Sequence, residues 1–391
     1  MIAPEPFFQE RGTPFSEFYR IKALTDLGHD VDLATYSLGT DIEIERMRIF
    51  RIMKLPGLKH IKVGPSWTKL PLDFLLFWKA FFLLCRNRYD VIHTHEEGGV
   101  IGAILKILFK KPHIFDMHSS LSEQFINFNI SRNRVVLGSI RFFEKFIIKH
   151  SDCVIVICPH LEDKVYEADK RAKVIIIENT INPAFFHYFP ARDDSDKLLP
   201  LQDNGKKRAL YIGTFEHYQG MDILVGAAQY LRKQGMSNVV FLCIGGNQSQ
   251  QIQLKKIITE QGMEDFFIVG ERVSQVSAEG LIDSADVLLS PRKEGVNTPL
   301  KIYSYLHSGK PIIATNLVTH TQILNDDVAF LAEPDGESFG KAVLEALQDE
   351  KRARMKGNAA RKLFEECYAY EHYRERVKMV LENIIIGKPK T

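Results

Sequence analysis

Short apolar runs rich in β-branched residues recur along the chain and alternate with longer amphipathic segments. Apolar runs that are continuous, rather than interrupted at every second position, are typical of parallel strands covered by helices on both faces. Amphipathic segments such as 17–28 and 221–235 predict helices, and each ends in glycine, as many helices do. The runs that predict strands are 31–36, 91–95, 113–118, 153–158, 174–179, 209–214, 239–246, 266–270, 287–291, 311–315 and 329–333. The pattern predicts an α/β protein with parallel sheets.

A polar segment that contains Pro and Gly divides this alternation into two halves. Strand–helix–strand repeats on both sides of it predict two Rossmann-like, doubly wound lobes. We therefore predict a first lobe over residues 1–190, a linker over 191–208, a second lobe over 209–367 and a terminal helix over 368–388. Open α/β sheets bind ligands beyond the carboxyl ends of their strands, so we expect a central cleft between the lobes, lined by residues that follow the strands.

The composition is that of a folded, globular protein. Hydrophobic residues make up 45% of the 391 residues and charged residues 26%, which excludes disordered, collagen-like and disulfide-scaffold proteins. The five cysteines are odd in number and lack CxxC spacing, so we expect reduced thiols in a cytoplasmic protein. No signal-peptide pattern opens the chain. The most apolar stretch, 71–86, contains Asp73 and Lys79 and is shorter than the roughly 20 residues of a membrane span.

Charge is distributed unevenly along the chain. Residues 46–149 contain 18 Lys and Arg but only 7 Asp and Glu, whereas the rest of the chain contains 33 and 42. Three segments in this basic part, 71–86, 104–111 and 136–149, combine apolar residues with Lys and Arg. That combination suits a peripheral contact with the anionic inner face of the cell membrane. The alternative is that the three segments are ordinary core-facing helices with solvated basic edges.

In the second predicted lobe, two turns that contain glycine follow strands. Gly213 and Thr214 begin the segment GTFEHYQG, which opens a helix. Small residues at a helix start favour phosphate, because free N–H groups and the helix dipole point at it. Gly245 and Gly246 follow the next predicted strand. The alternatives are an ordinary strand-to-helix turn in the first case and a tight turn that needs positive φ in the second.

The densest cluster of candidate residues is the segment SPRKEGVNTPLK at positions 290–301. A basic loop that contains glycine follows a strand, and a helix is predicted to start near Thr298 and the proline after it, with Thr298 as its cap. Arg292, Lys293 and Lys301 can neutralise a diphosphate, and the helix start can donate amides to it. The alternative is a solvated, charged loop.

The first lobe has its own polar groups near predicted strand ends. His93 and His95 end one strand, Asp116 and His118 end the next, and Gly12 lies in the segment RGTP before the first predicted helix. A metal site needs a defined arrangement of His and Asp ligands, which this spacing does not supply, so no metal is expected. The sequence contains neither a serine-hydrolase motif nor a P-loop. No nucleic-acid reader motif accompanies the basic residues, so nucleic acid is not an expected partner.

Seven segments along the chain together resemble the retaining glycosyltransferases of family 4, which have the two-lobed GT-B fold. The segments are RGTPFSEFYRIKALTDLGHDVDLATY, DVIHTH, HSDCVIVIC, IENTINPAFF, YIGTFEHYQGMDILVGA, SADVLLSP and TPLKIYSYLHSGKPIIAT. The resemblance implies transfer of a hexosyl group from a nucleoside diphosphate sugar, without a metal or other cofactor. It also implies a last helix that crosses back onto the first lobe. The basic first lobe fits a glycan or lipid-linked acceptor at an anionic membrane face, as in polysaccharide biosynthesis.

The resemblance also implies roles for individual residues. In the first lobe, His118 and Gly12 would face the transferred sugar. In the second lobe, the leaving diphosphate would lie between the Gly213 turn and the helix start after residue 298, where we expect Arg292 and Lys301 of this chain to neutralise it. The base and ribose would lie near the glycine pair after the next strand and the turn at 270–272. The residues expected to bind the donor are Gly213, Thr214, Gly245, Gly246, Arg272, Glu294, Asn297, Thr298, Pro299, Leu300 and Ser304.

The chain departs from the family pattern at several positions. Thr214 and Gln219 occupy the places of an Arg and a Lys, and Val296 and Ser304 occupy the places of two glutamates, for one of which Glu294 is a candidate substitute. Only three residues precede the first proline, where such proteins have a full strand. Two alternatives stay open, a truncated chain and a misassigned start codon, and loss of a central strand would weaken the first lobe. Two alternative functions stay open: a nucleotide-sugar-binding protein without transferase activity, and a sugar-nucleotide epimerase of similar fold.

Overall fold

The computed structural model describes residues 1–9, 12–58, 61, 66, 69–123, 133–189 and 205–385. The chain divides into two compact units, one formed by Met1–Thr180 with Tyr370–Thr391 and the other by Ile181–Ala369. Each unit contains one sheet of parallel strands with helices between the strands. The predicted α/β class with two Rossmann-like sheets is therefore confirmed. No helix among the described residues is long and apolar enough to cross a membrane.

Both units consist of short strands and longer helices. The strands are β1 (Ile2–Ala3), β2 (Val31–Thr35), β3 (Met47–Arg51), β4 (Ile92–His95), β5 (His113–Met117), β6 (Cys153–Val156), β7 (Val174–Ile176), β8 (Lys207–Gly213), β9 (Val239–Gly245), β10 (Phe267–Gly270), β11 (Val287–Ser290), β12 (Ile312–Thr315) and β13 (Phe330–Ala332). The α-helices are α1 (Gly12–Asp26), α2 (Leu70–Arg86), α3 (Gly98–Phe109), α4 (Arg134–Lys149), α5 (Pro159–Ala168), α6 (Met221–Lys233), α7 (Gln248–Glu260), α8 (Gln275–Ser284), α9 (Leu300–Ser308), α10 (Val318–Thr321), α11 (Gly336–Gln348), α12 (Glu350–Leu363) and α13 (Tyr370–Ile385). Short 3-10 helices cover Pro183–Tyr188, His217–Gln219 and Glu264–Phe266, and a π-helical turn covers Phe364–Tyr368.

The sheet of the first unit has seven parallel strands in the order β3-β2-β1-β4-β5-β6-β7. Five of them coincide with predicted runs. β1 is only two residues long, yet it lies inside the sheet and pairs with both β2 and β4. The apolar pattern does not predict β3, because its sequence MRIFR alternates charged and apolar residues. That alternation suits an edge strand that is partly exposed and pairs only with β2.

Helices cover both faces of this first sheet. α3 packs between α2 and α4, and Leu105 of α3 shares a core cluster with Ile92 of β4. α1 lies on the opposite face of the sheet, where its Arg20 forms an ion pair with Asp116 of β5. Successive side chains of a strand point to opposite faces, so one strand can contact helices on both faces. α13 packs against α1. The terminal helix therefore lies in the first unit.

The sheet of the second unit has six parallel strands in the order β10-β9-β8-β11-β12-β13, and each coincides with a predicted run. One core cluster joins Leu224 of α6 to Phe241 of β9. The other joins Leu281 of α8 and Ile302 of α9 to Leu242, the next residue of the same strand. Because adjacent strand residues face opposite sides, the helices cover both faces of the sheet.

The division of the chain differs from the predicted domain bounds at three places. The 3-10 helix Pro183–Tyr188 packs against α8, and residues from Ile181 onward lie in the second unit rather than in the first. β8 begins at Lys207, inside the predicted linker. Tyr368 packs with the core of the second unit, so the terminal helix of the first unit begins at Tyr370. Outside the described residues lie Arg11 of the RGTP segment, residue 190 at the end of the predicted first lobe, linker residues 191–204 and residues 386–388.

Candidate functional site

The carboxyl ends of β8 and β9 in the second unit meet through glycines. Gly213 pairs with Gly245 in the sheet, and the amide of Gly246 donates a hydrogen bond of 3.0 Å to the Gly213 carbonyl. Gly245 has a φ of +128°, and a Cβ on it would lie 2.0 Å from that carbonyl oxygen. Only glycine fits at this position. The structure thus brings together three of the residues expected to bind the donor, in a tight turn with positive φ.

Lys301, in the first turn of α9, places its amine beside this turn. A Cβ on Gly213 would lie 2.9 Å from Lys301 Nζ, and that Nζ lies 3.7 Å from the centre of the Tyr211 ring. The Nζ is buried and has no hydrogen-bond partner among the described residues. Burial and the nearby charge of Arg292 hold the pKa of Lys301 well below its ordinary value. A buried amine without a partner is costly in free energy.

Arg292 supplies a second cation on the loop after β11. Its Nη1 donates to the Asn297 carbonyl at 2.7 Å and to Thr319 Oγ1 at 2.8 Å, and its guanidinium lies 5.2 Å from the centre of the Tyr218 ring. Its Nε is buried without a hydrogen-bond partner in the described part of the chain, and burial lowers the pKa of Arg292. No described carboxylate forms an ion pair with Arg292 or Lys301. Both side chains can therefore bind an anion.

The other charged residues of this loop do not join that pair. Lys293 follows Arg292 directly, but its Nζ forms an ion pair of 2.7 Å with Asp222. Glu294 is exposed and forms no ion pair with a residue that the structure describes. The charge of Lys293 is thus compensated within the protein, whereas the charge of Arg292 is not.

The start of α9 differs from the predicted one. The helix begins at Leu300, with Pro299 at its N-cap, and no side chain caps it. The prediction that Thr298 is the cap is wrong, because the extended backbone of Pro299 occupies the N-cap position. The Thr298 hydroxyl is buried without a hydrogen-bond partner among the described residues. Ser304 lies one turn further along the helix and is partly buried.

Besides Glu294, two further residues expected to bind the donor have exposed side chains. Thr214 contributes its carbonyl oxygen to a hydrogen bond of 2.6 Å from the Tyr211 hydroxyl, while its side chain is exposed. Arg272 lies exposed on the loop after β10, the strand that pairs with β9. Neither side chain contributes to the buried cation pair.

Sequence reasoning missed four residues around the cations: Tyr211, Tyr218, Thr319 and His320. His320 Nε2 lies 2.8 Å from the hydroxyl of Ser290, and its Nδ1 lies 2.9 Å from the Thr315 carbonyl. Burial lowers the pKa of His320 to about 3, so the ring is neutral. Tyr211 has the pattern of a strand interior, and Thr319 and His320 follow a strand that the sequence does not place next to β11. These residues could have been identified only from the order of the strands in the sheet.

In the first unit, the end of β5 contains a buried carboxylate with several partners. Asp116 Oδ2 accepts a hydrogen bond of 2.7 Å from Arg20 Nε, His118 Nε2 lies 3.2 Å from Oδ1, and His93 Nε2 lies 3.4 Å from Oδ2. Burial alone would raise the pKa of Asp116, but Arg20 and the histidines outweigh it, so this pKa lies well below its ordinary value. Asp116 in turn raises the pKa of His118 against the effect of burial.

The three histidines near Asp116 form a stack. His95 lies between His93 and His118, with ring centres 5.2 and 5.6 Å away, and burial holds the pKa of His95 well below its ordinary value. Donor atoms of His93, His95 and Asp116 lie within 4.8 Å of one another, so they are close enough to share a metal ion. However, Asp116 already binds Arg20, and this pair satisfies the carboxylate without a metal.

Gly12 is the first residue of α1, and a Cβ on it would meet no other atom within 4 Å. The same helix turns Glu17 and Arg20 inward, where both are buried. Burial and the neighbouring Glu5 raise the pKa of Glu17 well above its ordinary value. Sequence reasoning missed Glu17 and Arg20. Their signal is helical spacing, because Glu17 and Arg20 fall on the same face as the buried Leu24.

Family models match both halves of the chain. The model described as glycosyl transferases group 1 matches residues 196–363, and the model described as glycosyltransferase family 4 matches residues 19–185. The chain belongs to the group 1 and family 4 glycosyltransferases. The resemblance found in the sequence is therefore confirmed, and the protein is a glycosyltransferase.

Individual relatives and solved structures agree with this assignment. An uncharacterised glycosyltransferase of Methanocaldococcus jannaschii is 21% identical over 299 residues, which cover 75% of this chain and 76% of the relative. The sucrose-phosphate synthase of Thermosynechococcus elongatus matches with a TM-score of 0.80 at 18% identity, covering 99% of both chains. The Anabaena protein HepE, solved in complex with UDP and glucose, matches with a TM-score of 0.73 at 15% identity, covering 97% of this chain and 98% of HepE. At these low identities, the two structures show only that this chain shares their fold, the GT-B fold.

Proposed function

We propose that this glycosyltransferase transfers a hexosyl group from a nucleoside diphosphate sugar to a glycan or lipid-linked acceptor, with retention of the anomeric configuration. One observation supports the proposal most directly. The Lys301 Nζ is buried beside the glycine turn at Gly213, the Arg292 Nε is buried on the loop after β11, and no described carboxylate forms an ion pair with either side chain. A diphosphate supplies the missing negative charge. HepE, which has a similar fold, has been solved with UDP and glucose, and this supports a donor of the same class.

The cations explain how the reaction would be accelerated. Transfer breaks the bond between the anomeric carbon and the diphosphate oxygen, and negative charge grows on the leaving group as the carbon becomes oxocarbenium-like. Lys301, Arg292 and the free amides at the start of α9 would stabilise that charge from fixed positions. Two fixed cations can replace the metal ion that neutralises a leaving diphosphate elsewhere. We therefore propose a metal-independent reaction.

The rest of the donor would extend from the diphosphate over the neighbouring strand ends. The ribose would lie near the backbone of Gly245 and Gly246, at the end of the strand that pairs with β8, and Arg272 follows the next strand of the sheet. On the phosphate side, Thr298 offers a buried hydroxyl that has no hydrogen-bond partner in the described chain. Asn297, Pro299, Leu300 and Ser304 would line the same side through the loop and the first two turns of α9.

The first unit would bind the acceptor, with His118 and Gly12 facing the transferred sugar. Asp116 holds the His118 ring and favours its protonated form, so His118 can donate a hydrogen bond to a sugar hydroxyl. The open space around the Cα of Gly12 would let a sugar approach the backbone there. A glycan or lipid-linked acceptor would place the protein in polysaccharide biosynthesis.

Turnover with defined donors tests this proposal. The protein is incubated with a panel of nucleoside diphosphate sugars, with and without glycan and polyprenyl-phosphate acceptors. We expect release of the nucleoside diphosphate that requires the acceptor and is unaffected by EDTA, and a product with the anomeric configuration of the donor by NMR. Arg292→Met and Lys301→Met should each lower kcat/KM by about 100-fold or more. An inverted product would contradict retention, and unchanged turnover in both variants would contradict the assigned site.

The departures from the family pattern favour a second candidate, a protein that binds the donor without transferring the sugar. Val296 and Ser304 stand where the family has glutamates, and Glu294 is exposed and forms no ion pair with Arg292 or Lys301. In that case nucleoside diphosphate sugars would bind with an affinity that depends on Lys301. No nucleoside diphosphate would be released with any acceptor, whereas an active transferase releases it in the same assay.

A further inference from the structure

We use the name helix layer for three neighbouring helices of the first unit: α2 (Leu70–Arg86), α3 (Gly98–Phe109) and α4 (Arg134–Lys149). α3 contacts α2 on one side and α4 on the other. Their inner sides pack on the sheet, with Leu105 of α3 in one core cluster and Ile147 of α4 in the next. Because the three helices lie side by side on one face of the sheet, their outer sides form one continuous surface.

Many large apolar side chains are exposed on this surface. Phe74, Trp78 and Phe82 follow one another at a spacing of four along α2 and so form one stripe. The ring centres of Phe74 and Trp78 are 6.2 Å apart, and those of Trp78 and Phe82 are 5.9 Å apart. On α4, Phe142 is 68% exposed. The large apolar residues exposed on the helix layer are Leu70, Phe74, Trp78, Phe82, Ile104, Ile107, Leu108, Val135, Phe142 and Phe143.

The second unit provides the comparison. Its exposed large apolar residues, among those that the structure describes, each lie on a different element. Isolated apolar side chains of this kind are ordinary on protein surfaces, whereas a contiguous apolar surface marks a binding site. The residues concerned are Tyr218, Ile252, Val276, Val318 and Met355.

The exposed charges of the helix layer have one sign. Its acidic residues turn inward: Asp73 accepts a hydrogen bond from the Tyr36 hydroxyl, and Glu144 accepts hydrogen bonds from Ser120 Oγ at 2.9 Å and from the Leu121 amide at 2.7 Å. None of the exposed basic side chains forms an ion pair with another described residue. The exposed charged side chains described on the three helices are Arg86, Arg141, Lys145 and Lys149.

We infer that the outer side of the helix layer binds the surface of an anionic lipid bilayer. Aromatic side chains insert at the level of the lipid headgroups, while Lys and Arg bind the anionic headgroups themselves. A second copy of this chain would bring like charges together on the same surface, so repulsion opposes a dimer through this face. The helices do pack on the core, as the alternative interpretation of the sequence predicts, while their outer sides are apolar as well as basic. The inference goes beyond the proposed function, because the donor site is not involved.

Co-sedimentation of the full chain with vesicles tests this inference. Vesicles of phosphatidylcholine with phosphatidylglycerol are compared with pure phosphatidylcholine, at low and at high salt. We expect binding to the anionic vesicles that is at least about tenfold weaker with neutral vesicles or high salt. Removing three charges (Arg141→Gln, Lys145→Gln and Lys149→Gln together) should weaken binding by about tenfold or more. A second variant with Phe74→Ser, Trp78→Ser and Phe82→Ser should also weaken it, through lost insertion.

A matched control separates the helix layer from net charge alone. The combined Lys233→Gln, Lys255→Gln and Lys351→Gln variant removes the same charge from exposed positions of the second unit and should bind vesicles like the wild type. Absent binding, or an equal loss in both charge variants, would overturn the inference. So would sedimentation without vesicles that shows a dimer broken by the aromatic variant. Circular dichroism checks folding, and nucleotide binding measured on the same samples reports separately on the donor site.

Discussion

The carboxyl ends of the two sheets contain buried charges of opposite sign. In the first unit, Asp116 is compensated within the protein by Arg20 and His118. In the second unit, Arg292 and Lys301 meet aromatic rings, a carbonyl and a hydroxyl, but no carboxylate among the residues described. The two units share a parallel, doubly wound architecture, so this difference arises from a few side chains and not from the fold.

The comparison separates buried charges that are compensated within the protein from buried charges that have no partner of opposite charge among the residues described. A buried ion pair is satisfied on its own, and removing one partner leaves the other uncompensated. A buried cation without an acidic partner is compensated when an anion binds. We therefore interpret the first network as one that orients groups such as His118, and we propose the second as the site of the donor diphosphate.

The largest effect is expected at the carboxylate of the first unit. Asp116→Asn leaves the Arg20 guanidinium buried without its counter-charge, so the free energy of unfolding should fall by about 3–5 kcal/mol. Urea unfolding measures the change. Asp163→Asn, at an exposed position of α5, serves as control and should change stability by less than about 0.5 kcal/mol.

A double variant sharpens this prediction. Replacing the whole pair by apolar residues, Arg20→Met with Asp116→Leu, removes the uncompensated charge and should restore most of the lost stability. If the double variant were as unstable as Asp116→Asn, charge compensation would not explain the pair.

The next effect concerns the backbone that supports the second site. Gly220 and Gly235 have nearly the same φ, +75° and +76°, but a Cβ on Gly220 would lie 1.9 Å from the carbonyl oxygen of Pro291, whereas a Cβ on Gly235 would meet nothing within 4 Å. Gly235→Ala should cost about 1 kcal/mol through its positive φ. Gly220→Ala should cost about 2 kcal/mol more, because Pro291 must move. Equal losses in urea unfolding would show that this contact does not constrain the loop.

A smaller effect of opposite sign is expected at Lys301. Lys301→Met removes a buried, uncompensated amine and keeps most of its volume, so the unliganded protein should become more stable, by about 1 kcal/mol. Thermal or urea unfolding without nucleotide measures the gain. A clear loss of stability would indicate that Lys301 has a structural partner.

The smallest effect is a dependence of stability on pH. The pKa of Lys301 is lower in the folded state than in the unfolded state, so between these two values the unfolded chain binds more protons. The free energy of unfolding should therefore rise with pH up to about 10.4, the ordinary pKa of lysine. The slope should be shallower in Lys301→Met, and also in the wild type with a bound nucleoside diphosphate. Identical slopes in wild type and Lys301→Met would contradict the lowered pKa.

The sequence predicts most of the fold because buried parallel strands leave continuous apolar runs, and eleven such runs became strands. It does not predict β3, whose edge position produces an alternating pattern. In the candidate site, Gly213, Gly245 and Arg292 could be found because they follow strands. Which lysine stays uncompensated could not be predicted, because the pairing of Lys293 with Asp222 depends on packing between distant segments.

The central claim is that the buried cations of the second unit bind the diphosphate of the donor. Isothermal titration of UDP, ADP and GDP into wild type, Lys301→Met and Lys293→Met tests it most directly, since Lys293 is a neighbouring cation that already has an acidic partner. We expect one nucleoside diphosphate to bind the wild type, with an affinity at least about tenfold weaker in Lys301→Met and nearly unchanged in Lys293→Met. Equal affinities in all three proteins, or no binding to the wild type, would contradict the account.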